Sequence, residues 1–264
     1  MRDLRPLVPV NEEGLDEIAR SLLEEIPSPP GSISGNSNFS LENLIDSYRI
    51  TGVQYKNGIY AFDLYKELLP SRTQNQHAEH RKQVMANNTN EPYTPTFPEL
   101  NAFLTTLFQN KDNTQYKDQI EQVRQFIKDS ALKNWLMTLT RVQYNPQNKK
   151  DIVTHNYKQQ DQYTIELDSF IGTDGFILNP DTTNVLIPVQ ALLDTRQSLQ
   201  EINQVYRWLT DVDAYMWRLN STPNKSTEAV AGLNANSYGA GLDCNGDPGG
   251  SSSSLGVHVA KIRT

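Results

Sequence analysis

Four histidines and one cysteine are all that the chain offers to imidazole or thiol chemistry. His77 and His80, in the run His77-Ala78-Glu79-His80, could place two imidazoles on adjacent helical turns as a metal pair. They lack the i, i+4 spacing that two zinc ligands on one helical face need, and their polar surroundings read as solvated surface. Cys244 with His258 and either Asp243 or Asp247 could form a thiol nucleophile and its base. A lone cysteine two residues from Leu242 also reads as a small core hydrophobe. Asp211 with Asp213, or Asp243 with Asp247, could give oxygen ligands to calcium, but neither pair has the carboxylate density of a dedicated loop. The sequence contains neither a Gly-x-x-x-x-Gly-Lys phosphate loop nor a Gly-x-Ser-x-Gly nucleophile elbow. No catalytic residue, metal ligand or cofactor is expected.

Composition bounds the rest. A chain of 264 residues with 37% hydrophobic content suits one large domain or two modest ones with a sizeable core. Its formal charge is −7, with 24 basic against 31 acidic residues, which argues against a nucleic-acid partner. No stretch approaches the roughly 18–20 apolar residues of a membrane span. Met1 to Val10 holds two arginines and two prolines and no apolar leader core, so the expectation is a cytoplasmic protein, with surface display left open. One cysteine rules out an internal disulfide and a cysteine-built zinc site.

The elements that must position any site follow from periodicity. Leu15, Ile18, Ala19, Leu22 and Ile26 predict an amphipathic helix over about 12–26, followed by a Pro/Gly/Ser/Asn loop at 27–40. Ile50 to Phe62 reads as a hairpin turning at Lys56-Asn57-Gly58, Phe62 to Leu69 looks helical, and 70–96 is polar and turn-rich. Thr96-Phe97-Pro98-Glu99 is a capping box opening a helix, and another follows near 116–134. The period then changes. Leu136–Tyr144, Asp151–Tyr157 and Gln162–Phe170 alternate as an antiparallel set, Val185–Leu193 is an apolar run, and Ser198–Leu209 is a helix.

The tail, Gly232 to Gly256, reads GLNANSYGAGLDCNGDPGGSSSSLG, with glycine, serine and asparagine filling 15 of its 25 positions. Composition alone suggests a flexible linker. Its flanks oppose that, because Tyr215–Leu219 and Leu255–Ile262 are both strand-like. Leu233 with Ala235, and Leu242 with Cys244, sit two apart as inward strand positions do, leaving Asn234, Asn236, Gly241, Asp243 and Asn245 to face outward together. Lys, Glu, Gln, Met and Trp supply 51 of the 264 residues, about one in five, yet none of these 25. These five types share one property: none can be made from an asparagine AAC codon by changing its adenines.

That pattern resembles the variable proteins of diversity-generating retroelements, in which adenine-specific mutagenesis rewrites codons near the end of the gene. Tyr215-Met216-Trp217-Arg218-Leu219-Asn220 resembles the strand that opens the variable stretch. Glu228-Ala229-Val230-Ala231-Gly232 resembles its frame, and Ser254-Leu255-Gly256-Val257-His258-Val259 the closing strand. The expected lack of a signal peptide and of disulfides looks more like the archaeal variable proteins than secreted animal lectins. The resemblance covers residues 217–264 well and about 80 before them loosely, and implies a C-type lectin fold and a ligand-binding protein that is not an enzyme.

The expectation is therefore an α+β protein: a mainly helical amino-terminal part over 1–95 and a C-type-lectin-like domain over 96–264, variable at about 217–264. Its face would be built from Asn234, Asn236, Tyr238, Gly241, Asp243, Asn245, Gly249 and Ser251, with Trp217 and His258 beside it and Tyr238 as anchor. The partner would be a protein or a glycan. A formylglycine-generating-enzyme-like or other enzyme centred on Cys244, and a scaffold with a flexible Gly/Ser tail, stand as alternatives.

Overall fold

The computed structural model describes residues 39–147, 150–182, 184–236 and 239–262, all within one compact unit, Ser37–Thr264. The helix expected at 12–26, the loop at 27–40 up to residue 38, and Tyr238 lie outside the described residues.

Strands dominate. Among the described residues, eleven strands in two sheets, with five short helices, replace the expected α+β fold of C-type-lectin type led by a mainly helical amino-terminal part. Residues 40–73 carry three strands: β1 (Ser40–Asn43), β2 (Ser47–Tyr55) and β3 (Gly58–Thr73). They form an antiparallel meander that β11 (Ser251–Lys261) completes in the order β1-β2-β3-β11. The hairpin expected at Lys56–Gly58 is present, with Lys56 in the left-handed region at φ 48°. Phe62 to Leu69, locally helical in pattern, is the middle of β3. It is hydrogen-bonded to β2 along one edge and β11 along the other, and this pairing overrides local preference. Pro70 falls where the register with β11 shifts, between Leu69↔Ser254 and Arg72↔Ser252, so its missing N–H costs no ladder bond there.

The segment 70–96 is not irregular. It holds α1 (Gln74–Asn87), capped by Thr73 and Gln76 in a reciprocal capping box. The capping box at Thr96 and Glu99 opens α2 (Phe97–Gln109) as expected, and α3 (Lys117–Lys133) follows. The antiparallel set is β4 (Leu136–Tyr144), β5 (Asp151–His155) and β6 (Tyr163–Leu167). After β7 (Gly175–Phe176), the apolar run becomes α4 (Leu186–Leu193), and Ser198 caps α5 (Leu199–Thr210). The tail folds as β8 (Ala214–Trp217), β9 (Thr227–Ala235) and β10 (Ala240–Gly246). Together these make a seven-stranded sheet ordered β6-β5-β4-β9-β10-β8-β7, in which only β10–β8 is parallel. One side of its tail strands is core: Ala214, Met216, Leu233, Ala235, Leu242 and Cys244 are buried where α3 meets β9 and α5 meets β8 and β10.

Helix α1 ties the two sheets together through buried polar groups. Gln74 Nε2 donates to the carbonyls of Thr138 (2.9 Å) and Thr140 (3.0 Å) on β4, and its Oε1 accepts from Arg141 Nε. His77, fully buried and not on the solvated surface expected of it, lies 2.9 Å from the Ser252 carbonyl of β11 and 2.7 Å from the Thr94 hydroxyl. A carbonyl only accepts, so His77 carries its proton on Nε2, and its Nδ1 accepts a hydrogen bond from the Thr94 hydroxyl. Burial holds its pKa below the ordinary imidazole value. One turn on, Arg81 forms a two-pronged ion pair with Glu99 (2.7 and 2.8 Å), both side chains at most 5% exposed. Burial alone would raise the Glu99 pKa, but the Arg81 charge and the Arg81 and Thr96 hydrogen bonds outweigh it and hold the carboxyl below the usual range.

Replacing Glu99 by Gln leaves a buried guanidinium without its counter-charge and should cost about 3–5 kcal/mol in urea unfolding, whereas replacing Arg81 and Glu99 together by apolar residues should cost less than either single change. Since the folded value of Glu99 is depressed, its contribution is present above the ordinary carboxylate pKa and should be lost as pH falls through that folded value.

Candidate functional site

The other side of the tail strands carries the candidate face, and strand pairing fixes which residues share it. Residues directly opposite one another project on one side of a sheet, and so do alternate residues along a strand. Gly241 pairs with Tyr215 on β8 and Asn234 on β9, and Asp243 pairs with Trp217 and Gly232. Phe176 on the edge strand pairs with Tyr215. One row thus runs Phe176–Tyr215–Gly241–Asn234 and a second runs Trp217–Asp243–Gly232. Phe176 is exposed, and Tyr215 and Trp217 are half-buried. Their rings form a continuous strip, with centroids 5.2 Å apart for Phe176–Tyr215 and 4.9 Å for Tyr215–Trp217.

Glycines let large side chains lie against the backbone. The Trp135 indole occupies the space where Gly232 and Gly246 would carry a Cβ, with its Cη2 2.7 Å from that position at Gly246. From there its Nε1–H donates to Asp243 Oδ2 at 2.6 Å, and Asn234 Nδ2 donates to the same oxygen at 2.7 Å. Asp243 is only 4% exposed, and its Oδ1 has no hydrogen-bond partner, nor does Asn234 Oδ1. Both oxygens crowd the space over Gly241: a Cβ there would overlap Asn234 Oδ1 and lie 3.1 Å from Asp243 Oδ1. Burial, partly offset by the Trp135 hydrogen bond and reinforced by the Asp174 charge, pushes the Asp243 carboxyl up to about 7. Protonation of Asp243 Oδ1 turns it from an acceptor into a donor on the side where Asn234 Oδ1 lacks one.

The nominated residues do not all come together. Trp217, Asn234, Gly241 and Asp243 share the face, with Gly241 and Asp243 buried beneath their neighbours and not outermost. Asn236 continues from β9, accepting the Gly239 N–H on its Oδ1, and Asn245 is exposed beyond a register shift in β10. Gly249 lies in the turn after β10, where its N–H is held by Asp247 Oδ1. Ser251 and His258 belong to β11 in the four-stranded sheet, the first exposed beside Thr73 and the second against the Tyr93 ring. Sequence reasoning missed Trp135 and Phe176 as members of the face. Both reach it by long-range pairing or packing that no local pattern encodes; the only sequence trace is the pair of glycines, Gly232 and Gly246, on which Trp135 rests.

The Cys244 thiol is fully buried and donates to the Trp217 carbonyl at 2.8 Å. Burial pushes it up to about 12, so at neutral pH it is a protonated thiol and not an activated thiolate. Among the described residues no three His, Cys, Asp or Glu side chains gather as metal ligands would, and no helix is long and apolar enough to cross a membrane. A separate cleft of about 590 Å³, lined by Tyr55, Lys56, Ile165, Ile187, Asp194 and Arg196, opens beside the β2–β3 turn and contains none of the nominated residues. No protein-family model, no curated protein and no solved structure matches the chain.

Two expectations follow. The folded Asp243 value lies above the ordinary carboxylate value, so its protonated form stabilises the fold; that contribution is complete below about pH 4 and is lost as pH rises through about 7. Asp243→Asn should therefore gain on the parent protein between pH 4 and pH 8, by at most about 4 kcal/mol, when urea midpoints are compared at the two pH values. A disulfide reagent should label Cys244 only as fast as the protein opens, and at once in denaturant; rapid labelling of the folded protein would refute the buried, protonated thiol.

Proposed function

We propose that this is a ligand-binding protein whose recognition face is the β8–β10 side of the seven-stranded sheet, diversified by a retroelement to meet varied protein or glycan partners. The observation that carries the reading is the division of labour within single strands. In β9 and β10, Leu233, Ala235, Leu242 and Cys244 fill the core, while Asn234 and the space over Gly241 belong to the opposite side. Large-to-small changes in a packed core cost about 2–5 kcal/mol, whereas exposed substitutions mostly stay within about half a kcal/mol. A face held by its own strands' core positions can therefore change residue by residue while its backbone stays in place.

The codon pattern supports the same reading and sharpens it. Asn234, Asn236, Asp243 and Asn245 are types that altered adenines in an AAC codon can produce, and Trp is not. Trp217 and Trp135 then form a constant floor, and the asparagines a rim that changes. The enzyme alternative has less support, because its one thiol is tied to a backbone carbonyl and its imidazole lies in the other sheet.

Sequencing many copies of this gene from a population of the source organism tests the reading. Coding differences explicable as altered adenines should concentrate between 217 and 256, with Trp217 itself invariant and 39–210 uniform. Differences scattered evenly along the gene would overturn it.

A further inference from the structure

We propose that the aromatic strip of this face, with the carboxylates beside it, recognises a positively charged side chain, arginine above all, presented by a protein partner; the proposal rests on the binding-face reading above and names the chemistry of its ligand. The half-buried Trp217 indole has a carboxylate on each flank. Asp243 is paired with it across the sheet. On the other side Asp174, the residue before β7, accepts the Arg218 N–H at 2.6 Å and Asn220 Nδ2 at 2.8 Å. Tyr215 and Phe176 extend the ring surface from Trp217. An aromatic ring carries negative potential on its face, so rings beside carboxylates form a surface selective for cations.

Two neighbouring arginines have partners of their own. The Arg218 guanidinium is turned to the Phe170 and Ile171 carbonyls, and Arg207 pairs with Asp213 at 3.0 Å. The paired positions of the two rows hold no lysine or arginine. Meanwhile two acceptors lack donors, Asp243 Oδ1 on a side chain 96% removed from solvent and Asn234 Oδ1 beside it. Gly241 has no side chain, and the half-buried Asn234 amide fills the space over it, with its Oδ1 and Asp243 Oδ1 both lying against that position.

Arginine fits these features better than a neutral ring such as a sugar or a compact ammonium. Its planar guanidinium stacks on an indole while its edge donates several parallel N–H bonds to carboxylate and amide oxygens. A sugar hydroxyl could satisfy one acceptor but would not answer the carboxylate charge beside the rings. The formal charge of −7 favours encounter with basic partners over acidic ones.

The test is a titration of the full chain with N-acetyl-arginine methylamide, followed by the indole N–H signals of its three tryptophans. The matched probe is N-acetyl-citrulline methylamide, which has the same shape without the charge. The Trp217 and Trp135 signals should move saturably with the arginine probe and hardly at all with citrulline. Trp208, tilted against Phe108 on the helix α5 that packs on the core side of β8 and β10, should stay still. Asp174→Asn should weaken binding about fivefold, the size of one lost surface charge contact. Trp217→Leu, read from the Trp135 signal, should remove binding without depending on how Asp174 supports the loop. Equal response to citrulline, or parallel movement of Trp208, would overturn the proposal, as would the absence of any shift. The binding-face reading falls only to evenly scattered codon differences, so the two failures are distinguishable.

Discussion

A guanidinium and a carboxylate facing one another out of reach of water, Arg81 and Glu99, form the contact on which the arrangement of both sheets depends. Each would be costly to bury alone, and together they leave almost no freedom in where α1 and the start of α2 can sit. Glu99 also caps α2 through the Thr96 N–H, and Arg81 lies over the Tyr93 ring, whose backbone bridges to Val257 of β11. One ion pair thus touches a helix start, the chain before it and, through Tyr93, the strand that closes the four-stranded sheet. Gln74 and His77 extend the same role, one to β4 and the other to β11. A buried polar junction satisfied at nearly every atom specifies one relative placement of its elements, which an apolar contact of similar area leaves looser.

That junction bears on the candidate face because β4 leads out of it. Trp135 stands one residue before β4, and β4 pairs with β9, so the placement fixed by Gln74 also fixes how far the indole reaches over Gly232 and Gly246 toward Asp243. The face therefore depends on a rigid support on both sides: core residues behind the strands and a polar junction at the strand that carries its tryptophan. Positioning of this kind holds recognition side chains in place before a partner arrives and lowers the entropy lost on binding.

Much of this was legible in the sequence where signals are local. The capping box at Thr96 marks its helix because side chain and backbone satisfy each other within four residues, and the helix read from Ser198 is closed in the same way. Alternation in β5 and β6 follows from a period of two with one side buried, and the inward pairs Leu233/Ala235 and Leu242/Cys244 from the same period, whereas β4 is buried along nearly its whole length. The misreadings were long-range in origin. Phe62–Leu69 has helical spacing but sits between two strands, and β11, its outer neighbour, lies far along the chain. The polar segment around His77 looks solvated because its partners, Ser252, Thr94, Glu99 and the Thr138 and Thr140 carbonyls, are scattered through the sequence. Asp243 was expected to face outward, and register does put it on that side, but Trp135 and Asn234 cover it.

This covering sets the terms on which the face can vary. Gly241 and Asn234 are directly opposed, and any side chain at 241 would meet the Asn234 amide, so these two positions cannot change independently. Asp243 is linked to both through Asn234 Nδ2 and through the space over Gly241. A larger residue at 241 therefore requires a smaller one at 234, and loss of the Asn234 amide leaves Trp135 as the remaining hydrogen-bond donor to Asp243 Oδ2. Asn245, exposed beyond the register shift in β10, carries no such coupling. The face divides accordingly into a coupled centre, where sequence changes must compensate in groups, and a free edge, where single changes are tolerated. On the proposed reading, diversification would leave the floor constant and draw its variety chiefly from the rim.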